Sequence, residues 1–224
     1  MKTAILSSLL VLSAAASSVA IAHQQGDIIV RGGATTVAPD ESTSTIIAGG
    51  EDLGVGLSIE SNTQLGLNIA YFVTDNLNIE LLAATPFKHD VDFGVTDPLG
   101  TGNKLGEVTH LPPTLTLNYY FNDASSVLQP YVGAGVNYTF IYDEEFTGAN
   151  REAGLSDLSL DNSVGLSAQL GMDVMLDNNW HVNTSVRWID IDTEASFNVG
   201  EARGAVNSIE IDPWVYTLAV GYTF

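Results

Sequence analysis

The sequence predicts an all-β protein: an eight-stranded antiparallel transmembrane β-barrel with long extracellular loops and short periplasmic turns. Three features predict it. They are an apolar leader at the N-terminus, eight segments in which large apolar residues alternate with small or polar ones, and a strict alternation of long and short connections between those segments. Successive side chains of a strand point to opposite faces, so each segment can present one face to lipid and the other to the lumen.

Residues 1–22 have the layout of a secretory signal peptide. Lys2 supplies a short positive region, an apolar stretch follows, and Ala20-Ile21-Ala22 is a small-residue cleavage site. We expect cleavage before His23, which leaves residues 23–224 as the outer-membrane barrel. A retained N-terminal anchor is the alternative, which the short and serine-containing apolar stretch disfavours.

The eight alternating segments are the predicted barrel strands. They span residues 26–36, 64–74, 77–86, 109–121, 130–142, 164–176, 180–194 and 213–224. Short polar turns join the second segment to the third, the fourth to the fifth and the sixth to the seventh, whereas the other four connections run to about twenty residues. This alternation is typical of an outer-membrane barrel with both termini on the periplasmic side.

The last segment shows the pattern most clearly. Every second position is large and apolar or aromatic: Trp214, Tyr216, Leu218, Val220, Tyr222 and Phe224. Ten steps of about 3.3 Å, tilted by about 40°, rise about 25 Å, which is the height of the lipid-facing band of such barrels. We expect Tyr222 and Phe224 to form the C-terminal signal that the barrel assembly machinery recognises. The alternative, a soluble eight-stranded barrel with the apolar face inward, leaves little room for so many large residues.

Composition excludes several classes of function. The chain has no cysteine and a formal net charge of −20, so a disulfide, a thiolate nucleophile and a nucleic-acid interface are not expected. The four histidines lack a paired ligand spacing, and we expect neither a cofactor nor a metal site. Asp190, Asp192 and Glu194 share one face above Trp188; a solvated rim is the simpler interpretation, and divalent cations that bridge to lipid head groups are the alternative.

Inward-facing positions predict a charged floor beneath an apolar region. The floor comprises Arg31, Glu80 and Asp173 at similar height, with Arg187 above them. We expect these charges to be paired, since unpaired buried charge is costly. Nearer the outside the inward residues are apolar: Leu82, Ala84, Pro112, Ile141, Ile189, Ile191 and Val215. They either line an apolar cup that opens to the outside or pack against one another and the loops.

Pro112 and Pro113 interrupt the fourth segment. Proline donates no hydrogen bond to a strand ladder, so the pair predicts a lateral gap in the barrel wall through which an apolar ligand passes into the bilayer. The alternative is that the ladder ends at Thr114 and both prolines belong to the loop.

Several long blocks resemble one family. They are Asn62–Leu67, Glu80–Phe87, His110–Leu115, Gln129–Tyr138, Glu152–Leu160 and Asp212–Val215, and together they cover essentially the whole mature chain. The chain resembles the OmpW family of small outer-membrane barrels. The resemblance implies an eight-stranded barrel that passes small hydrophobic molecules and releases them sideways into the membrane. Val164 stands where the resemblance leads us to expect a tryptophan, which implies a wider apolar lining.

The expected function is therefore uptake of small hydrophobic molecules across the outer membrane of a Gram-negative bacterium, with outer-membrane lipids as neighbours. The alternative is a structural protein, receptor or adhesin that acts through its extracellular loops. Catalysis is not expected, although candidate groups fall near the extracellular side: His89, His110, Ser156, Asp157 and Asp161. Loop positions in a sequence do not establish the mutual geometry that a nucleophile and its base require.

Overall fold

The computed structural model describes residues 23–43, 45–94, 97–123, 125–176 and 179–224. The predicted signal peptide, residues 1–22, lies outside the described residues. No helix in this part of the chain is long and apolar enough to cross a membrane.

Strands account for most of the described chain. In chain order they are β1 (Ile28–Ala38), β2 (Ser42–Thr43), β3 (Ile47–Ala48), β4 (Glu51–Asp52), β5 (Leu57–Ile59), β6 (Asn62–Phe72), β7 (Leu77–Ala84), β8 (Phe87–Phe93), β9 (Lys104–Leu111), β10 (Thr114–Tyr120), β11 (Leu128–Phe146), β12 (Leu155–Leu160), β13 (Ser163–Met175), β14 (Trp180–Ile189), β15 (Asp192–Val199), β16 (Ala202–Glu210) and β17 (Trp214–Thr223). A single-turn helix, α1 (Gly148–Glu152), lies between β11 and β12.

Eight of these strands form a closed antiparallel barrel in the order β1-β6-β7-β10-β11-β13-β14-β17, and β17 pairs with β1 to complete the ring. The predicted eight-stranded barrel is confirmed. The fourth predicted segment is two strands, β9 and β10, separated by the proline pair. The seventh ends at Ile189, because the amide of Ile191 donates to Oδ1 of Asp212 at 3.1 Å rather than to a neighbouring strand.

The outer face of the barrel is apolar over its whole height. Leu65, Leu166 and Leu218 are each more than 60% exposed, in alternation with buried inward residues. Exposed aromatic side chains lie at both ends of this band, as in the girdles of outer-membrane barrels. They are Tyr71, Tyr119, Phe121, Trp180 and Phe224 at the periplasmic end, and Tyr138, Phe140 and Trp214 at the extracellular end.

The long connections are themselves largely β-structure. β5, β8, β9 and the last part of β11 continue one side of the wall outward, and a second sheet, β12-β15-β16-β3-β4, is built from the other connections. An apolar core joins the two sheets; its buried members include Phe93, Leu105, Phe146, Phe197 and Val206. The membrane-spanning barrel therefore carries an extracellular extension with its own core, where the sequence predicted only loops.

Candidate functional site

Four charged side chains cross the lumen and pair with one another. Arg31 donates from Nη1 to Oε2 of Glu80 at 2.8 Å and from Nη2 to Oδ2 of Asp173 at 2.6 Å. Arg187 donates from Nη2 to the other oxygen of Glu80, Oε1, at 2.7 Å. None of the four side chains is more than 3% exposed. The two acids and two bases predicted for the floor thus form one buried network, the charged floor.

Other polar side chains complete the charged floor, and sequence reasoning did not single them out. Every nitrogen of the Arg31 guanidinium finds a partner, which lowers the cost of burying its charge. The additional bonds are Arg31 to Tyr120 Oη (2.9 Å) and to His181 Nε2 (3.1 Å), Arg187 Nε to Gln169 Oε1 (2.9 Å), Asn183 Nδ2 to Asp173 Oδ1 (2.7 Å), and His23 Nε2 to Asp173 Oδ2 (3.1 Å). The alternation of the strand pattern predicts that Asn183 and His181 face the lumen, but it does not predict which side chains they contact.

Aromatic rings fill the lumen on the periplasmic side of the charged floor. Tyr120 stacks on Tyr131 with a centroid separation of 4.8 Å, and His23 stacks on Phe72 at 4.9 Å. Tyr120, Tyr131 and Phe72 are each at most 2% exposed. Charge and aromatic packing therefore close the barrel in two successive layers.

Glycine makes room for the charged floor. Gly221 faces inward on β17, opposite Arg31 on β1 and His181 on β14. A Cβ atom at this position would overlap the His181 imidazole and lie 2.8 Å from Cγ of Arg31. The slim inner face of the last strand is thus what allows an arginine and a histidine to lie flat across a narrow lumen.

Apolar side chains pack directly above the charged floor. Val37, Phe87, Ile189, Ile191 and Val215 form one buried cluster, with Ala84 and Ile211 packed against it. Leu82 and Pro112 are also buried. Of the residues predicted to line a cup, these mostly pack against one another.

An apolar cavity lies higher, within the extracellular extension. It measures about 70 Å³ and is lined by residues from β1, β5, β8, β9, β11, β12, β15 and β16, including the predicted Ile141 and Ile191 but not Leu82, Ala84, Pro112, Ile189 or Val215. A second apolar cavity of about 80 Å³ lies beside it and shares Leu57, Leu105, Leu158 and Ala195 as lining residues. The space for an apolar molecule therefore begins further from the charged floor than the sequence predicted.

Two histidines form the principal polar contact of this cavity. Nε2 of His110 lies 2.9 Å from Nε2 of His89, with the rings stacked at a centroid distance of 4.9 Å. Burial lowers the pKa of His89, and it lowers the pKa of His110 to about 3, to which the neighbouring His89 contributes. Both imidazoles are therefore neutral at pH 7.

The candidate catalytic groups fall into separate sets, because His89 contacts His110 whereas Ser156 contacts Asp157. Ser156 donates to Oδ2 of its neighbour Asp157 at 3.0 Å, and Asn198 donates to the same oxygen at 2.7 Å. Among the described residues no histidine bonds to Ser156, so the hydroxyl lacks the histidine base that a serine nucleophile commonly uses.

The proline pair interrupts the ladder between the third and fourth barrel strands. Leu82 pairs with Thr114 below it and Phe87 pairs with His110 above it. Within the described chain, residues 83–86 and 111–113 form no strand pair with each other. On the other side of the prolines the strand pairing also skips Pro112 and Pro113, but Tyr138 bridges this shorter break by donating its amide to the Pro113 carbonyl at 3.1 Å. The wider interruption, the proline seam, therefore lies between the third and fourth barrel strands at the level of the apolar cluster.

Val164 and Glu194 differ from their predicted roles. Val164 is 73% exposed on the outer face and is not among the cavity-lining residues, so the expectation of a wider apolar lining there is wrong. The acidic group that the structure assembles is Asp190, Asp192 and Asp212, with Asp212 in place of the predicted Glu194. Burial and these neighbouring carboxylates raise the pKa of Asp192.

The last strand ends in an aromatic group at the periplasmic rim. Tyr222 packs edge-on against Trp180 at 5.0 Å and against Phe224 at 4.8 Å. Phe224 is 71% exposed on the outer face. Both residues of the predicted assembly signal are therefore on the lipid side of the strand.

Comparison with known proteins agrees with this architecture. The OmpW family model matches residues 24–224. Outer membrane protein W of Vibrio cholerae serotype O1 is 46% identical over 216 residues, which are 96% of this chain and 97% of that protein. The crystal structure of the outer membrane protein OprG from Pseudomonas aeruginosa superposes with a TM-score of 0.84 at 42% identity, covering 91% of this chain and 98% of OprG. A more distant relative, the dibenzothiophene metabolism operon protein PahQ of Pseudomonas aeruginosa, is 30% identical over 194 residues, 86% of each chain. This chain belongs to the OmpW family and is an outer-membrane β-barrel protein of a Gram-negative bacterium.

Proposed function

We propose that the protein is a channel for small hydrophobic molecules, which enter the extracellular extension, reach its apolar cavity and leave sideways into the bilayer at the proline seam. The observation that carries this proposal is the position of an apolar cavity above a completely closed lumen. Burying an apolar molecule beside a paired charge network gains little, so the charged floor opposes passage along the barrel axis.

The proline seam supports the sideways route. Unpaired backbone in a barrel wall is tolerated where it is satisfied locally or lines a cavity. Here Thr114 satisfies the Pro112 carbonyl at 3.1 Å, and Asn137 donates to that of Pro113 at 3.2 Å. These local bonds stabilise an opening in the ladder without requiring the neighbouring strand to close it.

The name of one relative is consistent with an apolar ligand. PahQ is named for a dibenzothiophene metabolism operon, and dibenzothiophene is an apolar aromatic compound. We further propose that the role is not catalytic, since Ser156 donates to its neighbour Asp157 and lies outside the cavity lining.

The first experiment measures entry of the fluorescent apolar probe 1-methoxynaphthalene into cells with and without the protein, with a small sugar as reference. We expect faster entry of the probe and unchanged entry of the sugar. Equal entry of the probe in both strains, with a correctly folded barrel, would contradict transport and favour a structural or receptor role through the extracellular extension.

A variant that fills the cavity sharpens the experiment. Ala195 is 6% exposed and lines both cavities. Ala195→Phe should therefore reduce probe entry towards the level of cells without the protein. Ala202→Phe, at an exposed position on the next strand, is the matched control and should transport normally.

A further inference from the structure

The histidine pair holds one hydrogen-bond acceptor that the protein does not satisfy. Nδ1 of His89 lies 2.5 Å from the carbonyl oxygen of Glu60. A carbonyl oxygen only accepts, so Nδ1 of His89 carries the proton and Nε2 of this neutral imidazole is an acceptor. Nε2 of His110, 2.9 Å away, must then donate to it.

The same reasoning fixes the second ring. His110 carries its single proton on Nε2, which leaves Nδ1 as an unprotonated acceptor. This atom is buried and has no hydrogen-bond partner within the part of the chain that the structure describes. A buried acceptor without a donor is unfavourable, and such atoms in folded proteins call for a specific explanation.

The other polar side chains of the cavity are already satisfied. Thr139 donates its hydroxyl to Oδ1 of Asn137 at 2.7 Å. Glu107 pairs with Lys104 at 2.7 Å and also with Lys88. His110 lines the cavity together with His89, and among the side chains of this lining its Nδ1 is the buried polar atom that still lacks a donor.

We propose that Nδ1 of His110 accepts a hydrogen bond from the ligand, so that the cavity selects small apolar molecules that carry one hydroxyl group. This inference rests on the proposed function and names the class of molecule that it serves: apolar alcohols and phenols in preference to pure hydrocarbons or ethers. The apolar part of such a ligand packs against the leucines and isoleucines of the cavity, and the hydroxyl meets the histidine pair.

Access to this atom adds a requirement. Nδ1 of His110 is buried, so a ligand that bonds to it displaces side chains of the cavity wall. Leu57, Leu105 and Leu158 line both cavities, and their displacement merges the two apolar spaces around the ligand while the histidine pair, held by the Glu60 carbonyl, stays in place.

Two ligands of nearly equal shape test the proposal. 1-Naphthol has a hydroxyl donor and 1-methoxynaphthalene does not. Binding of each is measured by equilibrium dialysis against the full protein in lipid nanodiscs, with empty nanodiscs correcting for partition into lipid. We expect the protein to bind 1-naphthol about tenfold more tightly, which corresponds to about 1.4 kcal/mol for one buried hydrogen bond.

Two variants of His110 distinguish the role of its Nε2 donor from the role of its Nδ1 acceptor. His110→Gln retains a donor towards His89 but has no acceptor at the Nδ1 position, so the tenfold preference should disappear. His110→Asn retains an acceptor close to that position, so part of the preference should remain. Heat-modified migration of each barrel on a gel shows that the variant has folded.

Nuclear magnetic resonance of the wild-type protein tests the same hydrogen bond without any variant, so the test remains available if a variant does not fold. The ¹⁵N signal of His110 Nδ1 should move towards that of a hydrogen-bonded acceptor with 1-naphthol and stay in place with 1-methoxynaphthalene. Equal binding of the two ligands together with an unmoved signal would overturn the hydroxyl preference while leaving apolar uptake intact. Absence of binding and of cell entry for both ligands would overturn the proposed function and this inference together.

Discussion

Single residues of the charged floor are held by partners on strands that are distant in sequence. The single carboxylate of Asp173, for example, bonds to Arg31, Asn183 and His23. Each of these bonds is buried, where an unmatched charge is far more costly than at the surface. The floor therefore concentrates stability in a few side chains.

Replacement of Asp173 by asparagine tests this at the residue scale. Asp173→Asn keeps the shape of the side chain but leaves the Arg31 charge short of one counter-ion, and we expect the free energy of unfolding to fall by about 3 kcal/mol. Reversible urea unfolding in phospholipid vesicles measures it. Asp123→Asn, exposed in a periplasmic turn, is the control; an equal change in both variants would contradict the argument.

The histidine pair gives the extracellular extension a pH dependence. Burial lowers the pKa of His110 to about 3, whereas in the unfolded chain it stays near 6.5. Between these values the unfolded state binds a proton that the folded state does not, so stability is complete above pH 6.5 and falls as the pH drops. At pH 5 the loss is about 2 kcal/mol for His110, at about 1.36 kcal/mol per pH unit, and the lowered pKa of His89 adds to it.

Amide hydrogen exchange in β8 and β9 at pH 7.5 and pH 5.0, corrected for intrinsic rates, measures this loss. The pH 5.0 limit lies above the ordinary pKa of Glu107, 4.5, so loss of the Lys104–Glu107 ion pair does not contribute. The double variant His89→Gln with His110→Gln should remove most of the pH dependence. Unchanged protection of wild-type β8 and β9 at pH 5.0 would show that burial does not keep these rings neutral.

At the element scale, each barrel strand has one face in contact with lipid and the other in contact with the lumen. Its outer face is apolar for lipid, and its inner face alternates between large polar groups and the small residues that accommodate them. β17 illustrates this, since Gly221 lies beneath the Arg31 and His181 side chains while Val220 faces lipid.

Substitution of one inward-facing and one outward-facing glycine tests whether only the inner face requires small residues. Gly221→Ala introduces a Cβ that overlaps His181, and we expect destabilisation of 1–3 kcal/mol, about the cost of overpacking a core. Gly32→Ala, on the adjacent strand β1, meets nothing within 4 Å and should be neutral or slightly stabilising. Urea unfolding of both variants in the same lipid decides between them; a larger loss for Gly32→Ala would contradict the assignment of faces.

The proline seam makes a prediction about transport. Pro112→Ala with Pro113→Ala restores two amide donors, so the ladder between β7–β8 and β9–β10 can close. We expect entry of 1-methoxynaphthalene to fall several-fold while thermal stability stays equal or rises. Pro130→Ala, at a position that pairs with Met172 in the continuous β11–β13 ladder, is the control. Undiminished entry in the double variant would exclude the proline seam as the exit.

At the scale of the whole molecule, the sequence predicts the barrel strands and their lipid-facing sides. It does not predict the side-chain contacts inside the lumen or the strands of the extracellular extension. Lipid forces a period of two on all eight strands, so their number and outer faces can be predicted from alternation alone. The contact between His23 and Asp173 joins residues 150 positions apart, and no local pattern encodes it. The extracellular strands β15 and β16 are as long as the barrel strands β7 and β10. They bury their apolar residues against the extension's own core, and the exposed face of β15 carries Asp192, Glu194 and Ser196, so they lack the row of large apolar residues that marks a lipid-facing strand.

The two closed layers of the lumen make a final prediction for the whole molecule. The aromatic layer with Phe72 and Tyr120 lies below the charged floor, and each layer spans the narrow barrel on its own. The protein in a planar bilayer should therefore carry no steady ion current above that of the lipid, and the same holds for Phe72→Ala, which weakens only the aromatic layer. An open porin in the same bilayer shows that insertion gives measurable steps. Step currents from the wild-type protein would mean that ions cross the charged floor, and an axial route for ligands would then have to replace the sideways one. If neither the wild-type protein nor Phe72→Ala gives step currents while the apolar probe still enters cells, the wall above the charged floor is left as the exit.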